Sequence, residues 1–189
     1  MSVKWYGFLY AHESPIRGAI FTNDDDMAKA MGEIRVHGQE KRYHHTRVGI
    51  GGRMDTIQCA VVLGKLDRFD WEVAQRGRIG AHYATLFANL GPEIELLPVR
   101  LDRTSVHAQY TVLVRDRANA EARLKAAGIP TAIHYPIPLH QQPAYAPWAQ
   151  GARFPISERL AQQVISLPMH ADLDSDTQQR IAQSVKGFA

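Results

Sequence analysis

Cysteine is almost absent from this sequence of 189 residues, and Cys59 alone cannot form a disulfide within the chain. It lies in an apolar stretch of helical periodicity, which favours a small buried side chain. No histidines stand at the spacing of a His-x-x-x-His or His-Glu-x-x-His motif, so the sequence predicts no metal site. The glycine patterns of P-loops and Rossmann turns and the Gly-x-Ser-x-Gly motif are also missing, which excludes several common enzyme classes.

Long apolar runs are lacking too. No stretch approaches the roughly 18–20 apolar residues of a membrane span, and residues 1–10 lack the apolar segment of a signal peptide. The net charge is +3, and the basic residues are not gathered into one stripe. We therefore expect a cytoplasmic protein that binds neither nucleic acid nor a membrane. Hydrophobic residues make up 45% of the chain, enough for one core with an appended piece.

The first half has an irregular start followed by helices. Residues 1–17 show no period of 2 or 3.6, and residues 18–22 read as a short strand. Thr22 or Asn23 could cap a helix that ends at Gly38. Residues 39–52 are predicted to be a polar loop. Residues 54–90 are helical throughout, and we expect this long helix to bend near Gly77 and Gly80 or to bridge two domains.

The last hundred residues alternate between strand and helix signals, which is typical of a small α/β layer domain. The predicted strands cover 95–99, 106–114 and 131–135, and the predicted helices cover 119–127, 157–165 and 176–185.

Two segments carry candidate site residues. Residues 37–53 combine cations, histidines and glycines before a helix N-terminus, which suits a phosphate or carboxylate, although a solvated basic loop has the same composition. His134 and Tyr135 lead into a loop stiffened by Pro136 and Pro138. They could donate to a sugar hydroxyl or phosphate oxygen, or they could be packed structural residues.

The order of several motifs resembles a known family. The motifs are Gly18-Ala-Ile-Phe-Thr-Asn-Asp-Asp25, His37-Gly-Gln39, Arg53-Met-Asp-Thr-Ile-Gln-Cys-Ala60, His134-Tyr-Pro136 and Ser166-Leu-Pro-Met-His170. Together they resemble the DegT/StrS family of pyridoxal-phosphate-dependent nucleotide-sugar aminotransferases. Within it they are most similar to the branch that acts on UDP-2-acetamido-2-deoxy-3-oxo-glucuronate and makes diamino uronic acids for bacterial surface polysaccharides.

The resemblance implies the C-terminal part of the aspartate-aminotransferase-type fold (fold type I), with a long linking helix and a small α/β domain. Residues 1–17 match nothing in the family. Residues 18–53 would be a remnant of the large domain that binds pyridoxal 5′-phosphate, 54–90 the linking helix and 91–189 the small domain. The family is homodimeric, and it transfers an amino group from glutamate to a 3-keto UDP-sugar.

The family's chemistry requires a lysine that forms a Schiff base with the cofactor. Lys4 is the only lysine before residue 18, and it falls several residues too early for this role. His12 resembles the histidine that a dehydratase branch carries in place of the lysine, but its offset differs by about three residues. We therefore expect a truncated chain that is inactive by itself.

Other family positions are retained. Arg53 resembles an arginine that pairs with a substrate carboxylate, and His134 and Tyr135 resemble residues that contact the sugar nucleotide from the partner subunit. Gly51 replaces an asparagine that reaches the cofactor phosphate, so only its N–H remains available. Three hypotheses stay open: an inactive fragment, a non-catalytic subunit that dimerises with an intact relative and completes its site, and a dehydratase that uses His12.

Overall fold

A computed structural model describes residues 4–6 (main chain only), 20–88 and 90–187. The chain divides into two compact units, Met1–Asp67 and Arg68–Ala189. Most of the start at residues 1–17, which the sequence predicts to be irregular, lies outside the described residues, including His12 and the expected lysine position.

The first unit begins with a short antiparallel pair. Strand β1 (Lys4–Tyr6) pairs with β2 (Ile20–Thr22), and helix α1 (Asp25–Ile34) follows. The cap of α1 is Asp24, whose Oδ1 accepts hydrogen bonds from the main-chain N–H groups two and three residues later, at 2.9 and 3.0 Å. The predicted cap at Thr22 or Asn23 is therefore displaced by one or two residues, because the carboxylate of Asp24 satisfies these helix donors.

The predicted polar loop at 39–52 contains a hairpin. Strands β3 (Gln39–Lys41) and β4 (His44–His45) pair antiparallel with an irregularity in register. Helix α1 ends at Ile34, four residues before Gly38, which adopts a positive φ of 76°. A Cβ on Gly38 would lie 1.8 Å from the carbonyl oxygen of Arg47, so this glycine is required by a close main-chain approach inside the hairpin.

The single helix predicted over 54–90 is wrong: two helices occupy this span. Helix α2 (Thr56–Leu66) is capped by Asp55, and α3 (Phe69–Leu86) begins after a turn at residues 67–68. The interruption does not occur at Gly77 or Gly80, which both lie inside α3. Gly80 has a packing role instead, since a Cβ there would come within 2.4 Å of the His107 ring.

The second unit contains a three-stranded antiparallel sheet. Its strands are β5 (Ile94–Leu96), β6 (Tyr110–Val114) and β7 (Val164–Leu167), and β6 lies in the middle. The helix predicted over 157–165 ends earlier and gives way to β7, in which all four residues are buried. The strand predicted at 131–135 is reduced to an isolated bridge between Ala132 and Ser166.

Helices pack against this sheet and complete a mixed α/β domain. They are α4 (Arg117–Ala126), α6 (Pro155–Gln163) and α7 (Ser175–Lys186), whereas the short α5 (Ala146–Ala149) has no buried residue. Asp116 and Asp174 cap α4 and α7 through bonds to main-chain N–H groups at 3.1 and 2.7 Å. In the described ranges, none of the helices has the length and apolar character needed to cross a bilayer.

The core of the second unit joins α3 to the sheet. The rings of Tyr83 and Tyr110 lie 4.7 Å apart, and the Tyr83 hydroxyl donates to the carbonyl oxygen of Pro168 at 3.0 Å. Buried Gln178 of α7 donates to the carbonyl of Ile79 at 3.0 Å. These polar bonds satisfy groups that would be costly to bury unpaired, and they fix α3 and α7 beside the strands that carry the candidate site.

Candidate functional site

Gly51 and Arg53 lie just before α2 in the first unit. Gly51 forms an antiparallel bridge with Val36, flanked by hydrogen bonds from Gly52 N to Arg35 O (2.9 Å) and from His37 N to Ile50 O (3.0 Å). In this pattern the bridged residues direct their own N–H groups away from each other. The N–H of Gly51 therefore points outward, where it can donate to an anion.

The guanidinium of Arg53 is exposed, and no hydrogen bond or ion pair engages it within the described part of the chain. Arg53 lies in an irregular stretch two residues before Asp55. Because Asp55 caps α2, the helix cannot begin early enough to include Arg53. A planar guanidinium without a partner can bind a carboxylate or phosphate through two parallel hydrogen bonds.

Some of the other cations of the segment at 37–53 are engaged within the first unit. Arg47 binds Glu33 with 2.6 Å between Nε and Oε2, and Arg42 lies over the Tyr43 ring at 4.9 Å. His45 Nδ1 contacts the carbonyl oxygen of His37 at 2.8 Å, so the ring nitrogen is the donor. The predicted anion site therefore depends on the N–H of Gly51 and on the exposed cations Arg53 and Lys41, which have no hydrogen bond or ion pair among the described residues.

The described lysines do not fit the role of a Schiff-base lysine. A lysine that is an amine near neutral pH is normally desolvated or placed beside another cation. All five lysines with described side chains are exposed: Lys29, Lys41, Lys65, Lys125 and Lys186. Hydrogen bonding to Glu40 raises the pKa of Lys29, which favours its charged form. No step through pyridoxal phosphate can therefore be derived from these residues.

His134 and Tyr135 follow the bridge at Ala132 in the second unit. Their peptide bond is cis, and their rings meet edge to face with 5.7 Å between centroids. Tyr135 is 74% exposed, and its hydroxyl has no hydrogen-bond partner among residues 90–187. His134 is half-buried. Both predicted residues are thus adjacent and available to a ligand, whereas Gly51 and Arg53 belong to the other unit.

Two hydroxyl groups support His134, one on buried Ser166 and one on half-buried Thr111. Nδ1 of His134 lies 3.2 Å from Oγ of Ser166, and this Oγ lies 2.9 Å from Oγ1 of Thr111. Ser166 and Thr111 are directly opposed in the β6–β7 ladder, and Ser166 also opposes Ala132. The motif that contains Ser166 is visible in the sequence, but the sequence alone assigns this serine no role. A serine within an otherwise apolar four-residue strand is the signal that could have indicated a role for Ser166.

The loop that follows Tyr135 is held by Glu158, whose side chain is 14% exposed. Arg153 donates to both carboxylate oxygens of Glu158, the N–H of Phe154 donates at 3.0 Å, and His140 lies at 3.3 Å. The Arg153 guanidinium, the Phe154 N–H and His140 together lower the pKa of Glu158 to about 2. This cluster has a structural role, and no group of three or more potential metal ligands occurs among the described residues.

The protein-family comparison accounts for nearly all of the described chain. Residues 17–186 match the DegT/DnrJ/EryC1/StrS aminotransferase family. The chain belongs to this family. The mixed α/β fold of the second unit and the retained motifs agree with that membership, and the resemblance inferred from the motifs is confirmed.

Individual relatives support the same assignment. A UDP-2-acetamido-2-deoxy-3-oxo-D-glucuronate aminotransferase of Pseudomonas aeruginosa is 48% identical over 158 residues, which are 84% of this chain and 43% of the relative. A DegT/DnrJ/EryC1/StrS aminotransferase from Brucella abortus is 36% identical, with a TM-score of 0.82 over 91% of this chain and 46% of that structure. Bacillus subtilis ntda, solved with bound cofactor PMP, is 25% identical, with a TM-score of 0.79 over 89% and 41%. The chain therefore spans less than half the length of these relatives.

Proposed function

We propose that this chain supplies substrate-binding residues to an aminotransferase that moves an amino group from glutamate to a 3-keto UDP-sugar. The observation that carries the proposal is the availability of three polar side chains, Arg53, His134 and Tyr135, whose surroundings leave them free to bind a ligand. The 48% identity to an enzyme named for a UDP-sugar uronate supports this class of substrate.

The chemistry of the three side chains suits such a substrate. The Arg53 guanidinium can form two parallel bonds with the uronate carboxylate. His134 and Tyr135 can donate to hydroxyl or phosphate oxygens, and the outward N–H of Gly51 can add one donor to a phosphate. We infer that these groups act across a subunit interface, in a homodimer or in a heterodimer with an intact relative.

The domain arrangement forms part of the proposal. Residues 18–53 would be the end of the cofactor-binding large domain, 54–90 the linking segment and 91–189 the small domain. Pyridoxal 5′-phosphate supplies the electron sink for amino transfer in this family. Because the described lysines are exposed, we infer that none of them is the Schiff-base lysine. We expect the chain to be inactive by itself and to lie in the cytoplasm.

A complementation experiment tests this function. The Pseudomonas aeruginosa relative is prepared with alanine at the positions aligned with Arg53, His134 and Tyr135, so that it keeps its own lysine and cofactor but loses substrate contacts. It is then co-purified with this chain, and formation of 2-oxoglutarate from glutamate and the keto sugar nucleotide is measured. We expect activity in the mixed complex and none in either component alone.

Two controls sharpen the result. A chain with Arg53→Ala, His134→Ala and Tyr135→Ala should still co-purify but should not restore activity. If this triple variant restores activity as well as the unaltered chain does, the substrate-binding role is wrong. A visible cofactor band retained by the isolated chain, trapped by borohydride on one of its lysines, would instead support an enzyme that is complete without a partner.

A further inference from the structure

Three polar groups form a continuous chain behind the candidate ligand surface of the second unit. Oγ1 of Thr111 lies 2.9 Å from Oγ of Ser166, which lies 3.2 Å from Nδ1 of His134. Ser166 is only 4% exposed. The N–H of Ser166 donates to the carbonyl oxygen of Ala132 at 2.8 Å, and the N–H of Ala132 donates back at 3.2 Å. These bonds fix the main-chain position from which the Ser166 hydroxyl projects.

The placement follows from strand geometry. Thr111 and Ser166 are cross-strand neighbours, so their side chains share a face of the sheet. On the other side Ser166 is opposed by Ala132, and His134 stands two residues further along. A side chain two positions from the directly opposed residue is a diagonal neighbour, which a histidine is long enough to reach.

The acceptors available to the two hydroxyl hydrogens indicate the direction of these hydrogen bonds. If Thr111 donates to Ser166 and Ser166 donates to His134, each hydroxyl hydrogen has an acceptor and Nδ1 is the unprotonated ring nitrogen. In the reverse direction Nδ1–H donates to Ser166, Ser166 donates to Thr111, and the Thr111 hydrogen has no acceptor among residues 90–187. That hydrogen would then depend on water at a half-buried position, so the first direction, in which every donor has a protein acceptor, is favoured.

We propose that Ser166, supported by Thr111, is a positioning residue that holds neutral His134 as the Nε2–H tautomer. The ring then presents an N–H donor at its outer edge, as histidines do when their second nitrogen is fixed by a neighbour. The matching ligand group is an acceptor oxygen: a phosphate, carboxylate or hydroxyl oxygen. The identification of that oxygen with the nucleotide sugar rests on the proposed function.

The tautomer can be measured on the chain without any ligand. In a ¹⁵N-histidine sample at a pH where the ring is neutral, the His134 signals, assigned by their loss in His134→Ala, should show a hydrogen on Nε2 and none on Nδ1. Ser166→Ala should give a mixture of tautomers, because Nδ1 loses its donor. Ser166→Thr keeps the hydroxyl and should restore the original pattern, and Thr111→Val should have a smaller effect in the same direction.

Matched controls separate positioning from folding. Ser184, whose hydroxyl bonds a main-chain carbonyl within α7, provides the control Ser184→Ala, which should leave the His134 signals unchanged. Amide spectra of each variant establish that the sheet is intact. An Nδ1–H tautomer in the unaltered chain, or an unchanged tautomer in a folded Ser166→Ala variant, would overturn the inference.

Kinetics in the mixed complex then link the tautomer to the ligand. Ser166→Ala should raise KM for the UDP-sugar about tenfold, the effect of one hydrogen bond, with a smaller change in kcat, and Ser166→Thr should recover most of the loss. If the tautomer responds as expected but His134→Ala leaves KM unchanged, the proposed function of His134 fails while its positioning by Ser166 stands. If KM rises but the tautomer does not shift, positioning by Ser166 is wrong.

Discussion

Arg47 fastens the β3–β4 hairpin to α1 through the 2.6 Å contact of its Nε with Oε2 of Glu33. The side chain of Glu33 is 7% exposed, and the hydrogen bond from Arg47 lowers its pKa. Arg47→Met should therefore raise the pKa of Glu33 and loosen the hairpin, because removal of one partner leaves a nearly buried carboxylate with fewer donors. Hydrogen exchange at the amides of His37, Gly38 and Ile50 should become faster.

The control for this prediction is Arg42→Met, since the contacts of its guanidinium within the described residues are with the ring and the hydroxyl of the neighbouring Tyr43. The direction in which pH changes the stabilisation by Glu33 also follows from its pKa. Because the folded-state pKa of Glu33 is lowered, its stabilising contribution is present above the ordinary carboxyl value of 4.5 and is lost as the pH falls below it. Equal exchange rates in the Arg47 and Arg42 variants would contradict the prediction.

Gly38 and Gly32 form a matched pair for a test of main-chain constraint. Gly38→Ala should destabilise the first unit by about 2 kcal/mol or more, because a left-handed conformation costs a non-glycine residue about 1–2 kcal/mol and the new Cβ would collide with Arg47. Gly32 lies inside α1, and a Cβ there meets nothing within 4 Å. Gly32→Ala should stabilise by up to about 1 kcal/mol. Urea unfolding monitored by amide signals of residues 20–52 measures both changes.

Tyr83→Phe tests the polar contact in the core of the second unit. The variant keeps the ring packing but removes the donor to Pro168 O, so we expect a loss of about 1 kcal/mol in the free energy of unfolding. Tyr145 is 51% exposed, and Tyr145→Phe should change stability far less. The two urea midpoints give the comparison, and similar midpoints would show that Tyr83 acts through its ring alone.

Glu158 should make the second unit sensitive to acid. Its folded-state pKa of about 2 lies below the ordinary value of 4.5, so its contribution is complete above pH 4.5 and declines as the pH falls toward 2. The melting temperature of the unaltered chain should exceed that of Glu158→Gln at neutral pH, and the difference should shrink across this window. Glu121→Gln, on the exposed side of α4, should show no such convergence.

Helix α2 is expected to take part in association. None of its residues is buried, although Ile57 and Val61 are 78% and 55% exposed and lie one helical turn apart. Apolar surface of this kind favours contact with another chain. Ile57→Glu with Val61→Glu should lower the sedimentation coefficient at micromolar concentration, whereas Gln58→Glu adds charge on the same helix and should not. A monomeric unaltered chain would refute this expectation.

The sequence predicted elements well where local signals agreed with the tertiary structure. The predicted starts at 119 and 176 lie within two residues of the observed starts of α4 and α7, which follow the carboxylate caps Asp116 and Asp174, because a cap is a local feature. The predicted strands at 95–99 and 106–114 contain β5 and β6 in large part, although both strands are shorter than expected. Their ends depend on where pairing stops, which the sequence does not encode locally.

The sequence-based predictions failed where contacts between residues far apart in the chain determine the local structure. Strand β7 continues the apolar pattern of α6, and its pairing with β6 and with Ala132 makes it extended. Gly77 and Gly80 have poor helix propensity, yet α3 runs through both, and the missing side chain of Gly80 leaves room for the His107 ring. The candidate site residues were found through motifs, and the partners of His134 were not, since Thr111 and Ser166 are far apart along the chain.

Ser166 also ties the orientation of one imidazole to the alignment of three chain segments. Its main chain meets Ala132, its side chain meets Thr111, and its neighbours Ile165 and Leu167 are buried in the core. Slippage of β7 by a single residue would turn the hydroxyl to the opposite face of the sheet. Core substitutions that loosen β7 should consequently disturb the His134 tautomer before they unfold the domain, so that the proposed role of His134 would restrict which side chains are tolerated at the buried position Ile165.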